Sequence, residues 1–222
     1  MTKSPVILLG AGGHAKVVLD LLRDAGADIL GVCDPRLWGE QVETWLGLPV
    51  LGDDRAIERY APDAVVLANG LGGLPGNTLR RRINDEFTQK GYRFATLIHS
   101  SAFIGSGVEL GAGAQIMPGV IVQAGTRLGA NSILNTGVRV DHDGEIGDHV
   151  HIAPGAVLSG NVRVGRCCHI GPGAILIQGL DVGTGAIIGA GTVVLSDVPP
   201  WHKALGQSPN PPSAMTSMGE NE

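Results

Sequence analysis

A chain of 222 residues with a formal net charge of −5 is long enough for one large domain or two small ones, and its acidic balance argues against a nucleic-acid partner. Cys33, Cys167 and Cys168 have neither disulfide-framework nor zinc-ligand spacing, which points to a reducing compartment and predicts no bound metal. Near the start, Lys3 precedes only a short apolar run broken by Gly10, and no later stretch is long enough to span a bilayer. A cytoplasmic protein is therefore expected.

Val6 to Leu9 reads as a buried strand running into Gly10-Ala11-Gly12-Gly13-His14-Ala15-Lys16. Val17, Val18, Leu21 and Leu22 then recur at helical spacing, and Gly26 is placed to end that helix. Ile29 to Cys33 reads as a second strand and Asp63 to Ala68 as another. Asn77 to Lys90 reads as a polar helix with Leu79, Ile83 and Phe87 on its buried side. Strands alternating with helices imply a small Rossmann-like parallel α/β sheet over residues 1–96.

The glycine turn between strand and helix presents backbone N–H groups to a phosphate. Gly10, Gly12 and Gly13 let the backbone approach, while His14 and Lys16 can add positive charge. Asp34 follows about twenty residues later, where an acid can bind a ribose hydroxyl. A tight turn needing small residues for packing alone is the rival reading of the same residues.

From Leu97 to Val198 the second place of every hexad is aliphatic, from Ile98 and Ile104 through Val140, Ile146 and Ile152 to Val194, with no insertion. A fixed hexad marks a parallel β-helix, in which three hexads, about eighteen residues, make one triangular coil. From Gly107 to Asp197 the fifth place is Gly, Asn or Asp except at His149 and Cys167, as a corner at positive φ demands, and Cys167 is the one poor fit. The two patterns agree in phase, and they place a β-helix over residues 97–205. Pro199-Pro200 are expected to stop the hydrogen-bonded coil, and residues 206–222, rich in Pro, Ser and Asn, to form a mobile tail.

Residues eighteen apart stack on adjacent coils, so His142 lies between Ala124 and Gly160, in a notch that a substrate can enter. His151 stacks beneath His169, and His149 takes a corner place. Asp143 also occupies a corner place, which by itself explains an Asp there. The functional reading is that the corner brings its carboxylate onto the His142 ring and stabilises the protonated imidazole.

Gly10-Ala11-Gly12-Gly13-His14-Ala15-Lys16, Leu97-Ile98-His99-Ser100-Ser101-Ala102 and the run from Asn135 through Asp141-His142-Asp143 and His151-Ile152-Ala153-Pro154-Gly155-Ala156 to Val162 resemble the bacterial family of nucleotide-amino-sugar N-acetyltransferases and sialic acid O-acetyltransferases. The resemblance extends to about Gly206. It implies a left-handed β-helix, acetyl-CoA as co-substrate, a nucleotide-linked amino sugar as acceptor and a homotrimer with active sites between subunits; flat, largely uncharged walls favour trimers too. On the same basis His142 matches the catalytic base and Asp143 its acidic partner. His151 and Gly160 match positions near the thioester of acetyl-CoA, and His169, stacked on His151, is grouped with them. Asn135 matches a residue lining the acceptor site. Gly12, Gly13 and His14 match the nucleotide-sugar loop, and Asp34 an acid near the base or ribose. The chain has Gly206-Gln207-Ser208-Pro209-Asn210 where such proteins usually end in Gly-Val-Pro-Ala-Lys, a segment that helps hold coenzyme A.

The expected reaction is N-acetylation of the sugar's amino group. O-acetylation of a sialic acid or related sugar is the alternative on the same fold. A trimeric β-helix metal hydrolase, a dinucleotide oxidoreductase and a non-catalytic sugar-nucleotide sensor are rivals of other classes. The hydrolase leaves the glycine turn unused, and the oxidoreductase lacks the second half of its fold.

Overall fold

The computed structural model describes residues 4–76 and 78–206, together with the short strand Ser213–Ala214. The chain forms two compact units, Met1–Gly72 with Thr78–Ser100, and Gly73–Asn77 with Ser101–Glu222. Among the described residues no helix is long and apolar enough to cross a membrane.

The first unit is built on β1 (Val6–Leu9), α1 (Gly13–Asp24), β2 (Ile29–Cys33), α2 (Pro35–Gly39), β3 (Thr44–Trp45), β4 (Leu48–Gly52), β5 (Val66–Asn69), α3 (Leu79–Gln89) and β6 (Arg93–Phe94). The sheet order is β3-β4-β2-β1-β5-β6, parallel except for the β3–β4 hairpin. β1 is wholly buried, consistent with its unbroken apolar run. Ile7, Leu9, Leu67, Ile83 and Phe87 pack into one core. The chain turns from β1 to β2 on one side and later returns to β5 on the other. The carboxyl ends of β1 and β5 therefore flank a topological switch point, where open α/β sheets bind their ligands.

One local expectation is corrected, and one hairpin was not foreseen. Arg80, Ile83, Asn84 and Phe87 form the buried stripe of α3, whereas Leu79 is exposed. Arg80 is drawn inward because its guanidinium donates to the carbonyls of Asn69 (2.9 Å) and Leu71 (2.7 Å) at the end of β5. The β3–β4 hairpin was hidden in the sequence because its turn is Leu46-Gly47, with Leu46 at φ 48°, a conformation usually left to Asn or Gly. Arg23 Nη2 donates to the Leu46 carbonyl at 2.7 Å and helps hold it there.

The second unit is a parallel β-helix. Its first wall stacks Gln115–Ile116, Ile133–Leu134, His151–Ile152, His169–Ile170, Ile187–Ile188 and His202–Ala204. The second stacks Phe103–Ile104, Ile121–Val122, Arg139–Val140, Val157–Leu158, Ile175–Leu176 and Val193–Val194. The third stacks Glu109–Leu110, Arg127–Leu128, Glu145–Ile146, Arg163–Val164 and Asp181–Val182. The register is eighteen residues, as in Arg139↔Val157 and His151↔His169, until the last step, where Ile187↔Lys203 is sixteen. The inward column of Ile116, Val122, Leu134, Ile152, Leu158, Ile170 and Leu176 is fully buried, each side chain contributing about 1.5–3 kcal/mol. Every fifth-place corner from Gly107 to Gly191 has positive φ, including His149 (58°) and Cys167 (61°).

The coil does not stop at the prolines. Val198 bridges Val182, sixteen residues back, Trp201 N–H donates to the Thr184 carbonyl at 2.9 Å, and His202–Ala204 pairs in parallel with Ile187–Ile188. Pro199 and Pro200 fall in the last corner, where no further coil requires their missing N–H groups. Ser213–Ala214, within the segment expected to be a mobile tail, pairs antiparallel with His202–Lys203.

Candidate functional site

The glycine turn closes the carboxyl end of β1. Gly10 has φ 83°, and a Cβ built there would lie 2.8 Å from Leu71 Cδ2. Gly12 is the N-cap of α1 and has no side chain to cap it, and the first turn of the helix carries no acidic residue, so its leading amides are uncapped by side chains. His14 is half-buried and Lys16 exposed in the first turn. A Cβ on Gly12 or Gly13 would meet nothing within 4 Å, so packing within the chain does not require glycine at either position. Asp34 lies beside this turn, with Oδ2 accepting from Ala11 N–H at 2.8 Å and Oδ1 from Leu37 N–H at 2.9 Å.

His142 and Asp143 occupy the corner between the second and third walls. Asp143 takes φ 57°, and this bend lets adjacent side chains meet where a straight strand would turn them to opposite faces. His142 Nδ1 donates to Asp143 Oδ2 at 2.9 Å. The hydrogen bond to Asp143, followed by the charge of Asp141, raises the His142 pKa above the ordinary imidazole value. Asp141 also accepts from the His142 backbone N–H at 2.7 Å, a contribution that the sequence reading passed over. With Nδ1 engaged, Nε2 carries the available lone pair. The exposed ring leans over Gly160, where a Cβ would lie 2.6 Å from both Cε1 and Nε2.

A second cluster lies on the first wall and its corner with the second. His151 Nδ1 donates to the Gly73 carbonyl at 2.5 Å, and Asn135 Nδ2 donates to His151 Nε2 at 3.3 Å. Asn135 Oδ1 accepts from Thr136 N–H at 2.8 Å, which agrees with that orientation of the amide. His151 is thereby set as the Nδ1–H tautomer. The His169 ring meets it edge-on, with centroids 5.0 Å apart. Burial, reinforced by His151, lowers the His169 pKa to about 4, and its Nδ1 is buried without a hydrogen-bond partner. His149 Nδ1 bonds Asn131 Nδ2 at 3.0 Å in the ladder of corners, as its corner place suggested.

The expected site residues thus fall into separate groups. His142, Asp143 and Gly160 share one corner, whereas Asn135, His151 and His169 lie at or beyond the opposite edge of the second wall. Gly73, which latches His151, sits in a glycine-rich stretch that carried no distinguishing signal. Among the described residues no group of three or more His, Cys, Asp or Glu is arranged to hold a metal ion.

Residues 5–87 match the family described as PglD N-terminal domain, and residues 143–178 match bacterial transferase hexapeptide (six repeats). The acetyltransferase domain of PglB from Neisseria gonorrhoeae, solved alone and with acetyl coenzyme A, is 33% identical with a TM-score of 0.85, over 96% of this chain and 100% of that one. A histidine-to-asparagine variant of perosamine N-acetyltransferase from Caulobacter crescentus, solved with CoA and GDP-perosamine, is also 33% identical with a TM-score of 0.85, over 97% of this chain and 99% of that one. WeeI from Acinetobacter baumannii is 26% identical with a TM-score of 0.82, over 92% of this chain and 97% of that one. No curated protein matches the chain. With these likenesses, the coil is a left-handed β-helix.

Proposed function

This chain belongs to the hexapeptide-repeat family of nucleotide-amino-sugar N-acetyltransferases and sialic acid O-acetyltransferases, acetyl-CoA-dependent sugar acetyltransferases, and from that premise we propose that it acetylates the amino group of a nucleotide-linked amino sugar, with His142 as general base. The observation that carries this reading is the His142–Asp143 hydrogen bond at an exposed corner, which leaves Nε2 over the bare backbone of Gly160.

The sugar's neutral amine attacks the thioester carbonyl carbon, and His142 Nε2 takes the proton that the nitrogen sheds. A backbone N–H, with that of Gly160 the candidate, stabilises the tetrahedral oxyanion. The carbon–sulfur bond then breaks, and the departing thiolate recovers the proton from the imidazolium. No acyl-enzyme is required. Burial pushes the Cys33 and Cys168 thiols up to about 12, which disfavours either as a nucleophile.

The glycine turn and the uncapped α1 N-terminus are assigned to the acceptor's pyrophosphate, with His14 and Lys16 beside it. Asn135 is assigned to the acceptor sugar, and His151, Gly160 and His169 to the acetyl-CoA end. The coenzyme tail-binding segment usual in the family corresponds to residues largely outside the described ones.

A homotrimer with sites between subunits is part of the same proposal. The outward residues of the second wall, Phe103, Ile121, Val157, Ile175 and Val193, make an apolar stripe interrupted only by Arg139, and Phe103 and Ile175 are exposed. The third wall instead carries Glu109, Arg127, Glu145, Arg163 and Asp181, with Arg163 bonded twice to Asp181 at 2.5 and 2.8 Å. A neighbour is expected on the apolar wall, whose two edges hold His142 and Asn135. A panel of UDP-, GDP- and CMP-linked amino sugars and sialic acid, each with acetyl-CoA, tests the reaction by mass spectrometry. An N-acetylated sugar nucleotide is the expected product. Acetylation of hydroxyls alone would overturn the choice of nitrogen, and transfer to none of the acceptors would overturn the acceptor class.

A further inference from the structure

Asp34 stands about twenty residues after the glycines, where an acid is ordinarily read as a ribose ligand. Its carboxylate is engaged elsewhere. Oδ2 accepts from Ala11 N–H at 2.8 Å, inside the glycine turn and 23 residues away in sequence. Oδ1 caps α2 by accepting from Leu37 N–H at 2.9 Å. The backbone on either side is pinned as well, with Gly10 N–H on the Cys33 carbonyl at 2.8 Å and Asp34 N–H on the Gly52 carbonyl at 3.0 Å. On the opposite side, Leu71 rests against Gly10. Leu71 is held in turn by Arg80, whose Nη1 donates to the carbonyls of both Asn69 and Leu71, while Asn69 Oδ1 accepts from Leu71 N–H at 3.2 Å.

We infer that Asp34 is a positioning residue, a clamp that fixes the glycine turn from β2 so that the amides at the start of α1 face the acceptor's pyrophosphate, with Arg80 bracing the other side through Leu71. The inference rests on the nucleotide-sugar reading of this turn. It changes what Asp34 contributes. An acid placed beside a pyrophosphate would by charge alone weaken binding, so the clamp must hold the turn more favourably than its charge repels the ligand. Tying down Ala11 N–H also removes one amide from the phosphate's reach and leaves the contacts to Gly12 and the residues after it.

Asp34→Asn tests this, because the amide keeps one acceptor oxygen but turns N–H groups toward either Ala11 or Leu37. Two measurements are needed. In the intact protein, hydrogen exchange at Ala11 N–H should be faster in the variant than in the wild type. UDP and GDP, each with its 2′,3′-dideoxy counterpart, are then titrated calorimetrically into both proteins. The clamp predicts about tenfold weaker binding of whichever nucleotide the wild type takes, the size of one charge-assisted hydrogen bond, and the same loss for its dideoxy form. A loss confined to the ribose-bearing ligand would identify Asp34 as a ribose ligand and overturn the inference. Tighter binding in the variant would mean that repulsion dominates and would also overturn it. A wild type that binds none of the four would count against the nucleotide reading, while Ala11 exchange would still decide the clamp: unchanged exchange in Asp34→Asn refutes it.

Discussion

The His142 ring occupies the space that a side chain at position 160 would need: a Cβ on Gly160 would lie 2.6 Å from its Cε1 and Nε2. Gly160 does not have positive φ, so alanine suits its backbone and the flexible imidazole must give way. Gly160→Ala should therefore leave the melting temperature nearly unchanged while moving the base by about an ångström. A displacement of that size is expected to lower kcat roughly a hundredfold. Paired melting and steady-state measurements check it, and normal turnover would place the reacting atoms elsewhere.

His142→Ala should lower the rate roughly 10²–10⁴-fold without unfolding the exposed corner. Asp143→Asn separates the corner role of position 143 from its charge. The carboxylate raises the His142 pKa, and the base is lost as pH falls through that value. Removing the charge should shift the acidic limb of the pH–rate profile to lower pH, with a smaller fall at the plateau. An unshifted limb would detach Asp143 from the titrating base.

His142 and Asn135 lie at opposite edges of the second wall, so a site between subunits draws one from each chain. His142→Ala and Asn135→Ala proteins should each be nearly inactive. Mixed trimers, formed by dissociating and reassociating the two together, should recover part of the wild-type rate. Light scattering should give about 69 kDa, three times the 22.9 kDa chain. A fully active monomer would remove the shared site.

Gly12→Val probes the phosphate turn. A Cβ at this position meets nothing within 4 Å, so an effect on activity would reflect what approaches from outside the chain. The KM for the sugar nucleotide should rise while that for acetyl-CoA changes little. The reverse pattern would exchange the assignments of the two substrates.

Burial lowers the His169 pKa from 6.5 to about 4. Between those values the unfolded chain binds a proton there that the folded chain does not, so stability rises with pH across the window. It is lost as pH falls from about 6.5 and fully forfeited below about 4. The melting temperature of His169→Gln should fall less steeply over this range than that of the wild type. Equal slopes would mean that His169 is not the group responsible.

Much of the coil was legible because two residue sets repeat in one phase, aliphatic at the inward place and left-handed at the corner. Even Cys167 obeys the corner at φ 61°, since its neighbours above and below impose the bend. The exception is Asp197, which lacks positive φ because the final coil is two residues short. The bond between His142 and Asp143 could be anticipated from the corner. The engagement of Asp34 with Ala11 could not, because spacing reveals that an acid reaches the turn but not which of its groups it meets. Arg80 was obscured for a related reason: nothing in a polar helix signals that backbone carbonyls at the end of β5 draw one of its charged side chains inside.

The closing of the last coil bears on how the molecule behaves at high concentration. A stack of parallel strands ends in rows of unpaired amides and carbonyls, onto which another copy could add and build a fibre. Here the terminal corner carries two prolines with no amide to offer, Trp201 covers Gly185, and Ser213–Ala214 lies antiparallel along His202–Lys203. Strand reversal and missing donors interrupt the template on the first wall and at that corner, which disfavours the addition of another copy there.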